Sequence, residues 1–265
     1  MASLTTKTLM GAAVAVLSVS TLAIPASAGD LFGRHEAGSI KDAPVEAPKR
    51  RCEFSINVAG TTDYVFRGIS QNGEDPAAQG GADMSCGIFY AGVWGSTVDF
   101  APYEVDLYGG IKKDLGFAEV DLGVIYYAYP GADDLPDEEL NYWEFKLGLS
   151  RTWNKFTMGG ALYYSPDYTL ETGTAVTYEG SLGYEFAARG PITPSISGAI
   201  GTTQFYDDEG DGLDYTYWNA GLSLAIDKIT LDFRYWDSTG DDDNFCGDKG
   251  LCDSRFVFTA KVALP

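Results

Sequence analysis

Residues 140–152 read LNYWEFKLGLSRT, and apolar and polar side chains alternate along them with a period of two. One set of alternate positions consists of Trp143, Phe145, Leu147 and Leu149. The other set consists of Tyr142, Glu144, Lys146, Gly148 and Ser150. Because successive side chains of a β-strand point to opposite faces, the stretch predicts one long strand with an apolar face and a polar face.

The same alternation recurs from Cys52 to the end of the chain. Twelve segments of this kind begin near Cys52, Pro76, Ile88, Tyr103, Phe117, Leu140, Phe156, Thr174, Ile192, Tyr215, Ile229 and Arg255. The 17 Tyr, 14 Phe and 5 Trp residues also favour strands over helices. The sequence therefore predicts an all-β domain of about twelve antiparallel strands.

Alternation alone does not say which face of the strands is inside. A soluble sandwich or lipocalin-like barrel buries the apolar face, whereas a membrane barrel turns it towards lipid. The segments run to roughly 10–13 residues, the length that a tilted strand needs to cross a bilayer. Aromatic residues predicted near the ends of the apolar faces, as in interfacial girdles, are Tyr64, Phe66, Trp143, Tyr184, Trp218 and Tyr235. These features predict a transmembrane, antiparallel, up-and-down β-barrel.

The start of the chain predicts export. Lys7 precedes an apolar run over residues 9–22, and the small residues 26–28 form a cleavage site. Residues 1–28 are therefore interpreted as a signal peptide, residues 29–51 as a flexible leader, and residues 52–265 as an outer-membrane barrel. This topology predicts a Gram-negative bacterium as the source and outer-membrane lipid and lipopolysaccharide as partners.

The formal net charge of −20 argues against nucleic acid as a partner. Predicted links between strands alternate between short turns and longer acidic loops, with the connection at residues 100–102 as a short exception. The first long connection is expected at residues 71–75. This alternation puts Cys52 and Cys86 at one end and Cys246 with Cys252 in the last long loop, so disulfides are predicted within each pair. A zinc site is the alternative for the second pair, although no His lies near it.

Five motifs together carry a family resemblance. They are DYVFRGISQ at residues 63–71, QGG at 79–81, GIFYAGVWGS at 87–96, EVDLYGG at 104–110 and YYAYPG at 126–131. With these motifs the chain resembles the TorF family of porins. The resemblance implies a proteobacterial outer-membrane barrel inserted by the barrel-assembly machinery, in a family without a defined substrate.

Catalysis has little support, because the only His is His35, in the predicted leader. No enzyme activity and no cofactor are expected. The pore-lining candidates on the polar faces are Arg67, Glu104, Asp106, Glu119, Asp121, Glu144, Lys146, Glu179, Asp232 and Arg234. Asp207, Glu209 and Asp211 are weak calcium candidates, since the frame lacks the final Glu of a calcium loop.

The excess of acids in the polar set predicts a porin-like channel for passive diffusion of small solutes, with a preference for cations. Two alternatives stay open. The charges could pair across strands and fill the lumen, which would leave a structural barrel without conductance. The barrel could also bind a partner through its acidic external loops.

Overall fold

The computed structural model describes residues 52–132, 139–207, 210, 212–240, 246 and 250–265. Within these residues the fold consists of twelve long strands and one short two-stranded hairpin. In chain order the strands are β1 (Glu53–Thr61), β2 (Val65–Phe66), β3 (Ile69–Ser70), β4 (Ala77–Cys86), β5 (Phe89–Ser96), β6 (Glu104–Asp114), β7 (Glu119–Ala128), β8 (Tyr142–Trp153), β9 (Phe156–Ser165), β10 (Ala175–Glu185), β11 (Ile192–Phe205), β12 (Tyr215–Ile226), β13 (Ile229–Ser238) and β14 (Arg255–Leu264). A 3₁₀ turn at Thr169–Glu171 lies between β9 and β10.

The long strands form one closed antiparallel barrel in sequence order. β1 pairs with β4 on one side and with β14 on the other, so that Ile56 lies opposite both Ala82 and Leu264. Each long strand begins within two residues of its predicted start. The predicted all-β, antiparallel, up-and-down barrel is confirmed.

The apolar face of the strands points away from the barrel. Along β8, Trp143, Phe145 and Leu149 are 49%, 50% and 49% exposed, whereas Tyr142 and Glu144 on the other face are each 2% exposed. The core therefore lies inside the barrel and is largely polar or tyrosine-rich. No helix among the described residues is long and apolar enough to cross a membrane.

The two ends of the barrel differ in the length of their links. One end, called the turn end here, carries short links at residues 87–88, 115–118, 154–155, 186–191 and 227–228, together with the start of β1 and the end of β14. Asn154 and Asp227 take positive φ angles of 58° and 52° there, which Asn and Asp tolerate better than most residues. The other end, called the loop end, carries longer links at residues 62–76, 97–103, 129–141, 166–174, 206–214 and 239–254.

The structure corrects the sequence analysis at the first two loop-end links. The connection expected at residues 100–102 spans residues 97–103, so it is not an exception of only three residues. The connection expected at residues 71–75 begins at residue 62, because β1 ends at Thr61. Residues 62–76 contain β2 and β3 and fold into the barrel, and we call this segment the inner hairpin.

The inner hairpin also changes the interpretation of two aromatic residues. Tyr64 and Phe66, expected in a lipid-facing girdle, are only 6% and 1% exposed because they point into the barrel. At the tip of the hairpin, Arg67 and Gly68 take φ angles of 44° and 84°, as a two-residue hairpin turn requires. Trp143 and Trp218, by contrast, are exposed on the outer face.

Both disulfides pair as the sequence predicts. Cys52–Cys86 joins the start of β1 to the end of β4 at the turn end, with 4.2 Å between the Cα atoms. Cys246–Cys252 is buried at the loop end, in a cluster that includes Ile69 of the inner hairpin. The predicted signal peptide and leader, residues 1–51, lie outside the described residues.

Candidate functional site: the barrel interior

The loop-end half of the interior is filled by the inner hairpin. On one side, Phe66 packs in a cluster with residues of β5, β7 and β8 and of the loop after β9. On the other, Ile69 packs against Tyr217, Trp236 and the Cys246–Cys252 disulfide. The Ser70 amide donates a hydrogen bond to the Leu251 carbonyl over 2.8 Å. Leu251 and the disulfide of the last loop therefore contact the hairpin from the loop end, while the barrel wall encloses it.

An ion pair joins the tip of the inner hairpin to the barrel wall. Arg67 Nη1 and Nη2 donate to the two carboxylate oxygens of Glu144 over 2.8 and 3.1 Å. Tyr127 donates a further hydrogen bond to Glu144 over 3.2 Å. The Arg67 guanidinium also lies 4.7 Å from the ring centroid of Phe66 and 4.8 Å from that of Tyr163. A paired and hydrogen-bonded arrangement of this kind makes a buried charge tolerable.

A second ion pair fixes the base of the inner hairpin. Arg255, the first residue of β14, lies 2.8 Å from Asp63 and 3.1 Å from Glu74, so it bridges the two arms. Ser70 donates to the other oxygen of Asp63 over 2.7 Å. The hairpin is thus clamped at its base as well as at its tip.

Two further carboxylates lie on the inward face of β6 and are completely buried. Glu104 and Asp106 are both 0% exposed. Tyr64 of the inner hairpin donates a hydrogen bond to Glu104 Oε1 over 2.9 Å. Burial, followed by the nearby Glu104 and Asp106 carboxylates, raises the pKa of Tyr64 well above its usual value, so this phenol stays a donor. Within the part of the chain that the structure describes, Glu104 Oε2 and both oxygens of Asp106 form no hydrogen bond.

The turn-end half of the interior contains open space. One cavity of about 600 Å³ lies along β6 to β10, and a second of about 310 Å³ lies along β1, β4, β5 and β10 to β14. Thr157 and Ser181 line both cavities, so the two adjoin across the lumen. The second cavity reaches Asp63 and Tyr64, which puts its inner end against the inner hairpin.

Charged side chains around these cavities largely pair with one another. Asp121 lies 2.9 Å from Lys146 and accepts a hydrogen bond from Tyr90 over 2.8 Å. Arg234 lies 3.0 Å from Asp232. The first cavity is lined by the acids Asp114, Glu119, Asp121 and Glu179 and by the bases Lys112, Lys146 and Arg151. The second is lined by Asp63, Asp232, Arg234 and Lys261. The turn-end half is therefore nearly balanced in charge.

The predicted pore-lining residues fall into three groups. Those that line the cavities are Glu119, Asp121, Lys146, Glu179, Asp232 and Arg234. Glu104, Asp106 and Glu144 point inwards but are buried at the level of the inner hairpin. Arg67 does not belong to the wall at all, because it lies at the tip of the hairpin.

Sequence reasoning missed several polar residues of the interior. Arg255 and Asp63 clamp the hairpin, and Tyr108 donates a hydrogen bond to Asp83. The alternation does assign Asp83 to the inward face of β4, so this residue could have been found. The role of Arg255 could not, because its partner Asp63 is 192 residues away in the sequence.

Two of the three weak calcium candidates cannot be placed in the described structure. Glu209 and Asp211 lie outside the described residues, and Asp207 accepts a hydrogen bond from the Thr174 amide over 2.5 Å. No group of three or more His, Cys, Asp or Glu side chains within the described ranges is arranged to hold a metal ion.

Comparison with solved structures gives a porin of similar fold. The chain is similar to the KdgM porin, with a TM-score of 0.52 and 7% sequence identity over 80% of this chain and 98% of that chain. It is also similar to the NanC porin in a rhombohedral crystal form, with a TM-score of 0.49 and 13% identity over 79% of this chain and 99% of that chain. At such identities the likeness concerns the fold alone. No curated protein matches the chain in sequence.

A family model extends over nearly the whole barrel. The model is described as "Bacterial protein of unknown function (Gcw_chp)" and matches residues 46–263. This span begins just before β1 and ends within β14. The chain therefore belongs to the Gcw_chp family of bacterial proteins.

Proposed function

We propose that this chain is a porin-like channel in the outer membrane of a Gram-negative bacterium, through which small solutes diffuse passively with a preference for cations. The observation that carries the proposal is a closed barrel that is apolar outside and polar inside, with open space in its lumen. In water the exposed apolar face would be unfavourable by about 25 cal/mol for each Å². In a bilayer the same face is solvated by hydrocarbon.

The membrane setting gives each end of the barrel a direction. Outer-membrane barrels have short turns in the periplasm and longer loops outside the cell. The turn end is accordingly assigned to the periplasm and the loop end to the exterior. Residues 1–28 act as the signal peptide and residues 29–51 as a periplasmic leader in this proposal. Lipopolysaccharide surrounds the outer half, the barrel-assembly machinery inserts the chain, and the TorF resemblance belongs to the same proposal.

Conduction in this barrel depends on the inner hairpin. The two cavities lie on the periplasmic side of the hairpin, while the external side is packed with buried aromatic residues. A solute that enters from the periplasm therefore meets the hairpin at residues 62–76. The proposal requires that this segment move aside while a solute passes, and the segment is therefore the gate of the channel.

The preference for cations depends on the carboxylates next to this gate. Around the cavities, acids and bases nearly balance. At the level of the hairpin, Arg67 offsets Glu144, whereas Glu104 and Asp106 form no ion pair among the described residues. Uncompensated carboxylates at a constriction favour cations over anions.

A structural barrel without conductance is the second candidate. It is favoured by the same hairpin, which fills the loop-end half and is held at both its tip and its base. In this case the pairing of luminal charges would serve stability alone. Binding of an external partner through residues 239–254 is compatible with either candidate.

Planar-bilayer recordings on the refolded chain distinguish the channel from the structural barrel. The proposal expects discrete conductance steps, and larger steps when residues 64–71 are replaced by a Gly/Ser segment of equal length. A matched control replaces residues 187–190 in a turn-end link by Gly/Ser and should leave the step size unchanged. Silence of both the natural chain and the hairpin variant across several salts would favour the structural barrel.

A further inference from the structure

Asp106 is the most unusual polar residue of the interior. Its side chain is 0% exposed, and within the described chain neither carboxylate oxygen has a hydrogen-bond partner. A buried carboxylate without partners costs several kcal/mol, so such groups in folded proteins are paired, hydrogen-bonded or bound to a metal ion. Among the described residues, Asp106 therefore lacks the counterpart that a buried carboxylate usually has.

Glu104 lies two residues earlier on the same inward face of β6. Its Oε1 accepts a hydrogen bond from Tyr64, but its Oε2 forms none. Residues two apart along a strand have their Cα atoms roughly 6–7 Å apart, which lets one ion reach both carboxylates. Three free carboxylate oxygens thus lie in one buried region.

Tyr129 adds a neutral oxygen to the same region. Its ring is 3% exposed, and its hydroxyl lies next to Glu104 without forming a hydrogen bond of good geometry to any described residue. Burial, and then the neighbouring Glu104 and Asp106 carboxylates, raise the pKa of Tyr129 well above its usual value. The Tyr129 hydroxyl therefore lies beside the same two carboxylates.

We propose that Glu104 and Asp106 bind a divalent cation with a preference for oxygen ligands, of the Ca²⁺ class, on the inner wall beside the inner hairpin. Two carboxylates match the charge of such an ion, and Ca²⁺ accepts carboxylate oxygens together with neutral oxygens. The Tyr129 hydroxyl supplies a neutral oxygen beside the two carboxylates, and water completes the coordination.

The nearby bases do not neutralise this pair. Arg67 forms its ion pair with Glu144, and Lys146 forms one with Asp121. The proposed site has only two carboxylate ligands. It is therefore compatible with the finding that the described residues contain no group of three or more His, Cys, Asp or Glu side chains arranged to hold a metal ion. The inference goes beyond the channel function, because an ion can be held on this wall whether or not the barrel conducts.

The test uses the full refolded chain in detergent, freed of metal by a chelator and then titrated with Tb³⁺. Trp94 lies directly opposite Asp106 on β5, so it can transfer excitation to a bound Tb³⁺. We expect Tb³⁺ luminescence under Trp excitation, and its loss on addition of Ca²⁺. The double variant Glu104→Gln/Asp106→Asn should bind Tb³⁺ at least about tenfold more weakly.

Two controls separate this site from other acids. The double variant Glu119→Gln/Asp232→Asn removes the same charge from the cavity linings and should keep the signal. Trp94→Phe should weaken the luminescence while Ca²⁺ still raises the melting temperature. Equal Tb³⁺ binding by the natural chain and the Glu104→Gln/Asp106→Asn variant would overturn the proposal and assign the ion to the acidic loops.

A thermal measurement covers the case in which the double variant folds poorly. Ca²⁺ should raise the melting temperature of the natural chain and leave that of the single variant Asp106→Asn almost unchanged. If Ca²⁺ has no effect on the natural chain and Tb³⁺ gives no signal, the carboxylates are held as neutral acids and the proposal is wrong.

Discussion

Arg67 and Glu144 form a two-bond ion pair inside the barrel although they are 77 residues apart in the sequence. Both side chains are 2% exposed. One partner belongs to the tip of the inner hairpin and the other to the wall strand β8. The pair therefore determines where the hairpin lies, and with it the closure of the loop-end half of the lumen.

Replacing Arg67 by Met should destabilise the barrel by about 3–5 kcal/mol, because Glu144 would be left as a buried, unpaired charge. Urea unfolding in detergent, followed by Trp fluorescence, measures this change. The double variant Arg67→Met/Glu144→Gln should recover part of the loss, since neither charge remains.

Arg151→Met is the matched control, because Arg151 is exposed at the turn end. Its unfolding free energy should change by less than about 0.5 kcal/mol. Equal effects of Arg67→Met and Arg151→Met would contradict a structural role for the buried pair.

The sequence predicts the wall of this barrel well and its contents poorly. Period-two alternation depends only on near neighbours in the chain, so the long strands and the outward faces of Trp143 and Leu149 follow from it. The same alternation continues through Tyr64 and Phe66, which is why the inner hairpin resembles an extension of β1. The Arg67–Gly68 pair between two short apolar runs is the one local sign of a turn.

The contacts inside the lumen could not be predicted because they join residues from opposite parts of the chain. Tyr64 meets Glu104 across 40 residues, and Arg255 meets Asp63 across 192. Alternation assigns a side chain to the interior but does not give its height in the barrel or its partner. The division between a balanced turn end and uncompensated carboxylates at β6 follows only from the three-dimensional arrangement.

Gly68→Ala should loosen the inner hairpin. Gly68 has a φ of 84°, and a Cβ there would lie 2.8 Å from the Cβ atoms of Ser238 and Tyr217. The positive φ and the close contacts of the new Cβ should together cost about 1–3 kcal/mol, so the hairpin should shift away from β12 and β13. Faster proteolysis within residues 62–76 and a larger single-channel conductance are the expected results.

Gly180→Ala provides the control for that change. A Cβ at Gly180 would meet no atom within 4 Å, and its backbone conformation carries no positive φ. Proteolysis and conductance should match those of the natural chain. If both alanine variants behave alike, the hairpin is not held by the close approach at Gly68.

The two disulfides should differ in their contribution to stability. Cys52–Cys86 closes a loop with a sequence separation of 34, whereas Cys246–Cys252 closes one with a separation of 6. Loop-closure entropy gives about 4 kcal/mol for the longer loop and about 2 kcal/mol for the shorter. Urea unfolding of the double Ser variant of each pair tests the order.

The shorter disulfide should have the larger effect on the gate. Cys246 and Cys252 pack against Ile69 of the inner hairpin, whereas Cys52 and Cys86 lie at the opposite end of the barrel. Reduction of Cys246–Cys252 should therefore increase current fluctuations more than loss of Cys52–Cys86. The reverse order would mean that the last loop does not control the gate.

The membrane orientation of the wall can be tested at Leu147. This side chain is 45% exposed in the middle of β8, between Leu122 and Leu162. Leu147→Arg should lower the unfolding free energy in lipid vesicles by about 2–4 kcal/mol, because it puts a charge at the bilayer midplane. Leu115→Arg, in a turn-end link, should cost only about 0–1 kcal/mol. Equal costs at both positions would mean that the exposed face of β8 does not meet hydrocarbon.

Ion selectivity should depend on Glu104 and Asp106 rather than on the cavity acids. In metal-free protein, where no cation offsets these two carboxylates, neutralising both with Gln and Asn removes their charge beside the inner hairpin, so the reversal potential in a salt gradient should move towards zero. Glu119→Gln changes one charge at the exposed turn-end rim, where Lys112 and Arg151 also line the cavity. Its reversal potential should stay close to that of the natural chain. A larger shift for Glu119→Gln would mean that the periplasmic mouth of the pore, and not the gate, determines its ion selectivity.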